Sequence, residues 1–129
     1  MGDWKIDTSS LEGVLWFSLK GTFNREEMLE FVEAHNHAVD SFAGRTYQVW
    51  ADLRELNPLG PEAADAMEKA KRYSAAQRNF AGSAVHVSSA TISLQHQRTS
   101  VSSGVMKTEL ISNDEDALWE HLRSLRRSP

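Results

Sequence analysis

The chain has 129 residues, of which 40% are hydrophobic and 25% are charged, a balance typical of one globular domain spanning residues 1–129. It contains no cysteine, which excludes disulfides, thiolate metal sites and cysteine nucleophiles. The net charge of -4 argues against general nucleic-acid binding, and no apolar run is long enough to span a membrane. The N-terminus lacks a signal-peptide pattern. We therefore expect a cytoplasmic protein.

Residues 4–8 and 14–20 alternate apolar with polar side chains, which predicts two strands joined as a hairpin. Asn24 has the position of a helix N-cap, with Glu27 placed to complete a capping box. The helix that follows ends before Gly44. Its predicted inner face carries Met28, Phe31, Val32, His35, Val39 and Phe42.

Residues 47–53 are predicted to form the third strand, and a turn at 57–61 places Pro61 at the start of a second helix. This helix is expected to run to about Asn79, where Gly82 breaks it. Its predicted inward residues are Ala63, Met67, Ala70, Tyr73 and Gln77. Residues 84–88 are predicted to form the fourth strand.

The last third of the chain has a weaker pattern. Residues 90–103 predict a helix with Leu94, Arg98 and Val101 on one face. Residues 107–112 predict the last strand, and Asn113 is expected to cap the final helix. The buried stripe of that helix is predicted to contain Ala117, Leu118, His121, Leu122 and Leu125.

This order of elements, β-β-α-β-α-β-α-β-α, indicates an α/β fold with a mixed, mostly parallel sheet of about five strands and about four helices. Together with the ending Lys107-Thr-Glu-Leu-Ile-Ser-Asn-Asp-Glu-Asp-Ala-Leu-Trp-Glu-His-Leu122, it resembles the STAS-like (SpoIIAA-like) proteins. The resemblance implies regulated protein–protein binding, or binding of a small apolar or nucleotide ligand. Anti-sigma-factor antagonists in that group carry a phosphorylatable Ser at the start of the helix after the third strand. Here no Ser or Thr lies between Thr46 and Ser74, so the resemblance does not carry over that switch.

Strand alternation predicts that Trp16, Trp50 and His86 share one face of the sheet, opposite a core face of Leu15, Phe17, Leu19, Val49, Ala51, Val85 and Val87. An apolar wall with a few polar groups suits a ligand pocket or a partner surface. The alternative is that the first helix or a second copy of the chain covers the two Trp rings. Asp52 is predicted to project beside His86, where the two groups would allow acid/base chemistry.

The second candidate site is the loop from Asp52 to Pro61, which contains Arg54, Asn57 and Gly60. Loops at the carboxyl ends of parallel strands are where α/β sheets commonly bind ligands. The alternative is that Pro58, Gly60 and Pro61 only shape a turn.

Four other groups of residues are more simply explained by structure. His35 is expected to be a core histidine, and Glu33, His37 and Asp40 a solvated face, although that spacing is also compatible with a metal site. Ser93, His96, Thr99 and Ser100 are expected to lie on a polar helix without a catalytic role. Solvation is also expected for the cations of the second helix, Lys69, Lys71, Arg72 and Arg78, for which a small basic patch is the alternative.

No catalytic motif is present, so the sequence favours a non-enzymatic interaction module without a cofactor. The expected partner is a protein, with a small apolar, lipid or nucleotide ligand as the alternative. A homodimer is compatible with either function.

Overall fold

Strands and helices alternate along the chain in the computed structural model, which describes residues 2–104 and 106–127. The strands in this part of the chain are β1 (Asp3–Asp7), β2 (Val14–Gly21), β3 (Tyr47–Leu56), β4 (Phe80–His86) and β5 (Glu109–Ser112). The helices are α1 (Arg25–Asp40), α2 (Pro61–Ala75), α3 (Ala90–Ser103) and α4 (Glu115–Arg127), with a 3-10 turn at Met106–Thr108. The predicted order of elements is confirmed.

The five strands form one sheet in the order β1-β2-β3-β4-β5. β1 pairs antiparallel with β2, and every later pair is parallel, so the predicted hairpin and mixed sheet are confirmed. Trp16 lies opposite Trp50, and Asp52 lies opposite His86. Helices α1, α2 and α3 pack on one face of the sheet and α4 packs on the other.

The main core forms between the sheet and the first three helices. Asn24 and Glu27 start α1 with the predicted capping box: the Asn24 side chain accepts from the Glu27 amide at 2.8 Å, and the Glu27 carboxylate accepts from the Asn24 amide at 3.1 Å. The predicted inner face of α1 is buried, as are the predicted inward strand residues. The periodicity of the sequence therefore identified the core face of the sheet correctly.

Helix α4 covers the second face of the sheet, where Leu118 and Leu122 pack on Val14, Trp50 and Ala84. The Gln48 side chain anchors the end of this helix to β3. Its amide nitrogen donates to the Leu122 carbonyl at 2.8 Å, and its amide oxygen accepts from Arg126 Nε at 2.6 Å. The structure thus assigns the cover of the Trp50 ring to α4, and not to the first helix.

Two predicted boundaries, the end of α2 and the start of β4, are wrong because the prediction took Gly82 as a helix break. Helix α2 ends at Ala75, and β4 begins at Phe80, four residues before its predicted start. Gly82 therefore lies inside β4 and does not break the helix. Its φ is +111°, and a Cβ placed there would collide with Leu125 Cδ1. The glycine lets α4 approach the sheet closely.

The prediction for α3 was right about the helix and wrong about its face. Leu94 and Val101 are 55% and 62% exposed, whereas Ile92, His96 and Ser100 are buried. A polar face points inward because it meets buried polar groups, which hydrophobic periodicity does not detect.

The cap of α4 also differs from the prediction, since Asp114 and not Asn113 accepts from the Ala117 amide, at 3.2 Å.

Candidate functional site

The predicted face of Trp16, Trp50 and His86 is largely closed. Trp50 is 3% exposed and stacks on Trp119, and His86 is buried with its ring edge-on to Trp50. Trp16 is half-buried beside this cluster. Packing under α4 accounts for the burial of both Trp50 and His86, so only Trp16 presents part of its ring to solvent.

Asp52 and His86 occupy partner positions on neighbouring strands, as predicted. Arg54 engages both carboxylate oxygens of Asp52, with Nε and Nη2 donating at 2.9 and 2.8 Å. This bidentate contact lowers the pKa of Asp52 below its ordinary value, with a smaller contribution from the nearby His86. A carboxylate held in this way is a weaker proton acceptor than a free one.

The loop after β3 is exposed and anchored on both sides. The Asn57 side chain donates to Thr22 Oγ1 at 2.9 Å, and the Asn57 amide donates to the Gly21 carbonyl at 3.0 Å. On the other side, the Gln95 side chain accepts from the Leu59 amide at 2.9 Å and donates to the Leu59 carbonyl at 2.8 Å. The loop is thereby held in one conformation.

The exposed residues Arg54, Asn57, Pro58, Gly60 and Ser88 form what we call the carboxyl-end surface. Ser88 Oγ donates to the Arg54 carbonyl at 2.8 Å, which joins the β4–α3 turn to the end of β3. Gly60 is the N-cap of α2 and provides no side-chain hydrogen bond to the helix. No heavy atom outside its chain neighbours lies within 4 Å of where its Cβ would be. A partner therefore has access to the backbone at this helix start.

A second group of polar residues lies inside the protein, between α2, α3 and β5. We call Lys71, Ser83, His96, Ser100 and Glu109 the internal polar cluster. Lys71 Nζ donates to Ser100 Oγ at 2.7 Å and to the His96 carbonyl at 3.1 Å, and lies 3.4 Å from Glu109 Oε1. The side chains of Lys71 and Glu109 are only 8% and 4% exposed. The prediction that Lys71 is solvated was wrong.

Burial lowers the pKa of Lys71, and the Glu109 carboxylate opposes that effect. Glu109 is held further by Ser100 Oγ and by Ser83 Oγ, which donates at 3.2 Å. The pair is thus a buried, hydrogen-bonded ion pair that links α2 to β5.

His96 is 1% exposed, and neither ring nitrogen has a hydrogen-bond partner among the described residues. Burial and the charge of Lys71 hold its pKa well below the ordinary 6.5. The ring borders a cavity of about 30 Å³ between the sheet, α2 and α3. This cavity is also lined by His35, Lys71, Ser74 and Glu109, and by apolar side chains of the core.

The sequence does contain a signal for the internal polar cluster. Lys71 falls one position after Ala70, on the wide inner face of α2, and His96 lies four residues after Ile92 in α3. Read as one face, Ile92, His96 and Ser100 recur at helical spacing. Because His96 and Ser100 are polar, hydrophobic periodicity alone did not predict that this face is buried.

Other predicted sites remain ordinary surface or core. His35 is a buried core histidine whose Nδ1 lies 2.9 Å from Asn36 Oδ1, and its pKa is lowered by burial. Glu33, His37 and Asp40 are exposed. In residues 2–104 and 106–127, no group of three or more His, Asp or Glu side chains is placed to hold a metal ion. Nor does this part of the chain contain a helix with the length and apolarity needed to cross a bilayer.

The topology defines a class of fold. A mixed five-stranded sheet with three helices on one face and the last helix on the other is the predicted STAS-like fold, which is thereby confirmed. The structure is similar to the crystal structure of an anti-sigma factor antagonist from Mycobacterium paratuberculosis, with a TM-score of 0.63. The similarity covers 95% of each chain at 15% sequence identity.

Comparisons of sequence alone give no match. No protein-family model matches the chain. A search of curated proteins finds no significant relative either. The fold is therefore established by its three-dimensional arrangement and not by sequence motifs.

Proposed function

We propose that this protein is a non-enzymatic regulatory module that binds another protein through its carboxyl-end surface. The single observation that carries the proposal is the two-sided anchoring of the exposed loop around Asn57 and Leu59. A surface that is already ordered loses little conformational entropy on binding, so its contacts translate efficiently into affinity. Loops held on a rigid scaffold are also where binding residues concentrate.

We infer the class of partner from the similarity in fold. The similar structure is named an anti-sigma factor antagonist, and we infer that the partner of this chain is an anti-sigma factor. Arg54 is the charged anchor we expect at the interface: its side chain is 52% exposed, and Asp52 fixes its guanidinium in one orientation. An Arg whose geometry is already set suits recognition of a partner carboxylate.

The N-terminus of α2 completes the proposed surface. Gly60 stands at the N-cap, with no side chain to shield the first turn. In the absence of Ser or Thr from the loop and the start of α2, phosphorylation at this helix start does not regulate the module.

An enzymatic function has less support. The acid/base pair considered from the sequence consists of Asp52, which Arg54 neutralises, and His86, which is buried under α4. Trp50, the proposed wall of a pocket on that face, contacts Trp119. We therefore retain a non-catalytic role for this face.

The proposal is tested by measuring affinity for anti-sigma factors from the source organism, each purified and titrated by calorimetry. Arg54→Glu reverses the charge of the proposed anchor, and loss of a desolvated charged contact typically costs about 2–5 kcal/mol, or a 30-fold or larger rise in Kd. Arg78→Glu is the matched control, because Arg78 is exposed at the opposite end of the sheet, just before β4. Equal Kd values for the two variants would contradict the proposed surface, and no binding to any anti-sigma factor would contradict the partner class.

A further inference from the structure

We propose that protonation of His96 releases α3 from α2 and loosens the loop of the carboxyl-end surface, so that mild acid weakens partner binding. The effect on binding rests on the proposed function, whereas the release of α3 does not. Three observations carry the inference: the polar inner face of α3, a buried ring among charges that are already balanced, and the hydrogen bonds of Gln95 to the loop.

Helix α3 is docked mainly by polar contacts. Ile92 is the one apolar residue that is buried among the described side chains of this helix, and His96 and Ser100 complete its inner face. Lys71 Nζ of α2 donates to Ser100 Oγ and to the His96 carbonyl. Segments that bury few apolar contacts open at a lower free-energy cost than the whole fold. We therefore expect α3 to open before the sheet does.

The charges that face the His96 ring are balanced only while the ring is neutral. Lys71 faces the ring from α2 and Glu109 from β5, and these two form an ion pair with each other. His35 lines the same cavity from α1. The walls that β2, β3 and β4 contribute are apolar apart from Ser83. A proton on His96 would thus add a second cation opposite a single carboxylate.

That second cation has no partner in the closed protein. The Glu109 carboxylate is already engaged by Lys71 and by two serine hydroxyls. Neither ring nitrogen of His96 has a hydrogen-bond partner among the described residues. Burying an unpaired charge is strongly unfavourable, so the protonated ring is stable only when α3 moves away and water reaches it. Burial and Lys71 accordingly hold the pKa of His96 in the closed protein well below 6.5.

Gln95 couples the position of α3 to the carboxyl-end surface. It is adjacent to His96 in the same helix, and its side chain accepts from the Leu59 amide at 2.9 Å and donates to the Leu59 carbonyl at 2.8 Å. Leu59 belongs to the loop that carries the surface. When α3 moves away, the loop loses this anchor and keeps the one at Asn57. A less ordered loop loses more conformational entropy on binding, which weakens its affinity for a partner.

The test is amide hydrogen exchange of the isolated protein, measured by NMR at pH 7 and pH 5 and corrected for intrinsic exchange rates. In the open state the His96 ring has a pKa near roughly 6.5, so the opening equilibrium should rise about 25-fold between these pH values. We expect the protection of the amides of residues 94–100 and of Leu59 to fall by that factor. Because the opening is local, these amides should be less protected than those of β3 at both pH values.

Two pairs of variants test the two steps. His96→Leu removes the titrating ring and should remove most of the acid effect at α3 and Leu59, whereas His37→Gln, at an exposed residue, should retain it. Gln95→Ala should leave the Leu59 amide unprotected at both pH values while the acid response of α3 remains. Its control is Gln97→Ala, at an exposed position of the same helix, which should leave Leu59 protected.

Acid-dependent exchange at α3 and Leu59 that His96→Leu removes would support the inference. Equal protection of α3 and β3, an acid effect in His96→Leu as large as in the wild type, or a Leu59 amide that stays protected in Gln95→Ala would each overturn it. His96→Gln provides the same comparison if His96→Leu does not fold. No partner is present in these measurements, so failure of the proposed function cannot produce any of these results.

Discussion

The indole ring of Trp50 stacks on that of Trp119, with 4.0 Å between the ring centroids and 19° between their planes. One residue belongs to the middle strand of the sheet and the other to the last helix, and more than half of the chain lies between them. The stack lies beside the contacts of Leu118 and Leu122 with the sheet. It therefore joins α4 to the centre of the sheet. It also covers the sheet face that was predicted from the sequence to form a pocket.

Truncating one ring of this stack should destabilise the fold. Trp119 is half-buried, so Trp119→Ala should lower the free energy of unfolding by about 2 kcal/mol, less than the ~3–5 kcal/mol of a fully buried Trp→Ala. Urea unfolding measures the change. Leu94→Ala, at an apolar residue that is 55% exposed, is the control and should stay within about 0.5 kcal/mol of wild type.

Gly82 permits the close approach of α4. Gly44 serves as a control that separates the cost of backbone strain from the cost of a steric collision. Both have positive φ, +111° and +83°, but a Cβ at Gly44 meets no atom within 4 Å. Gly44→Ala should therefore cost only the backbone strain, about 1–2 kcal/mol. Gly82→Ala adds a collision with Leu125 and a close contact with the Thr108 carbonyl, so it should cost about 1–3 kcal/mol more than Gly44→Ala. Equal thermal shifts of the two variants would contradict the close packing.

The buried pair of Lys71 and Glu109 should show strong energetic coupling. Lys71→Met leaves the Glu109 carboxylate buried without its cation, which typically costs about 3–5 kcal/mol. Adding Glu109→Gln removes that charge and keeps acceptor and donor atoms for Ser83 and Ser100, so the double variant should recover at least about 2 kcal/mol. Additive effects in a double-mutant cycle would show that the pair is exposed or broken in solution.

The protein should lose stability in mild acid because of His96. Burial and Lys71 depress the pKa of the folded-state imidazole, whereas an unfolded chain titrates near 6.5. Between these two values the unfolded state binds more protons, so the contribution of His96 is complete above pH 6.5 and is lost as the pH falls below it. Buried His35, whose pKa is also lowered, acts in the same direction.

The measurement is the slope of unfolding free energy against pH between 7 and 5, which for one histidine reaches about 1.4 kcal/mol per pH unit. His96→Leu should reduce this slope by removing the titrating ring. Exposed His37→Gln should leave it unchanged. A wild-type profile that is flat from pH 7 to 5 would mean that His96 is accessible to protons in the folded protein.

The sequence predicted the fold well where hydrophobic periodicity is strong. The faces of α1 and of strands β2, β3 and β4 follow from simple alternation, and the capping box of Asn24 and Glu27 marks the start of α1. The start of β4 escaped prediction because Phe80-Ala-Gly-Ser lacks β-branched residues. The glycine in that run is required by the α4 contact, which is distant in sequence and has no local signature.

The sites were harder to predict because burial of polar groups depends on partners from distant segments. Lys71 is buried since Glu109 and Ser100 converge on it from β5 and α3, and its position beside Ala70 in the sequence does not indicate these two partners. Trp119 lies at the border of the α4 stripe, and only the position of Trp50 draws it into the packing. The exposed positions of Arg54, Asn57 and Gly60 were predictable, because they follow directly from the end of a parallel strand.

The most direct test is an NMR titration of the isotope-labelled chain with the anti-sigma factor that we propose as its partner. We expect amide signals of residues 54–60 and of Ser88 to shift or broaden, while those around Trp16 and along α4 stay in place. Saturable changes confined to α4, or to β1 and Trp16, would contradict the assignment of binding to the carboxyl-end surface.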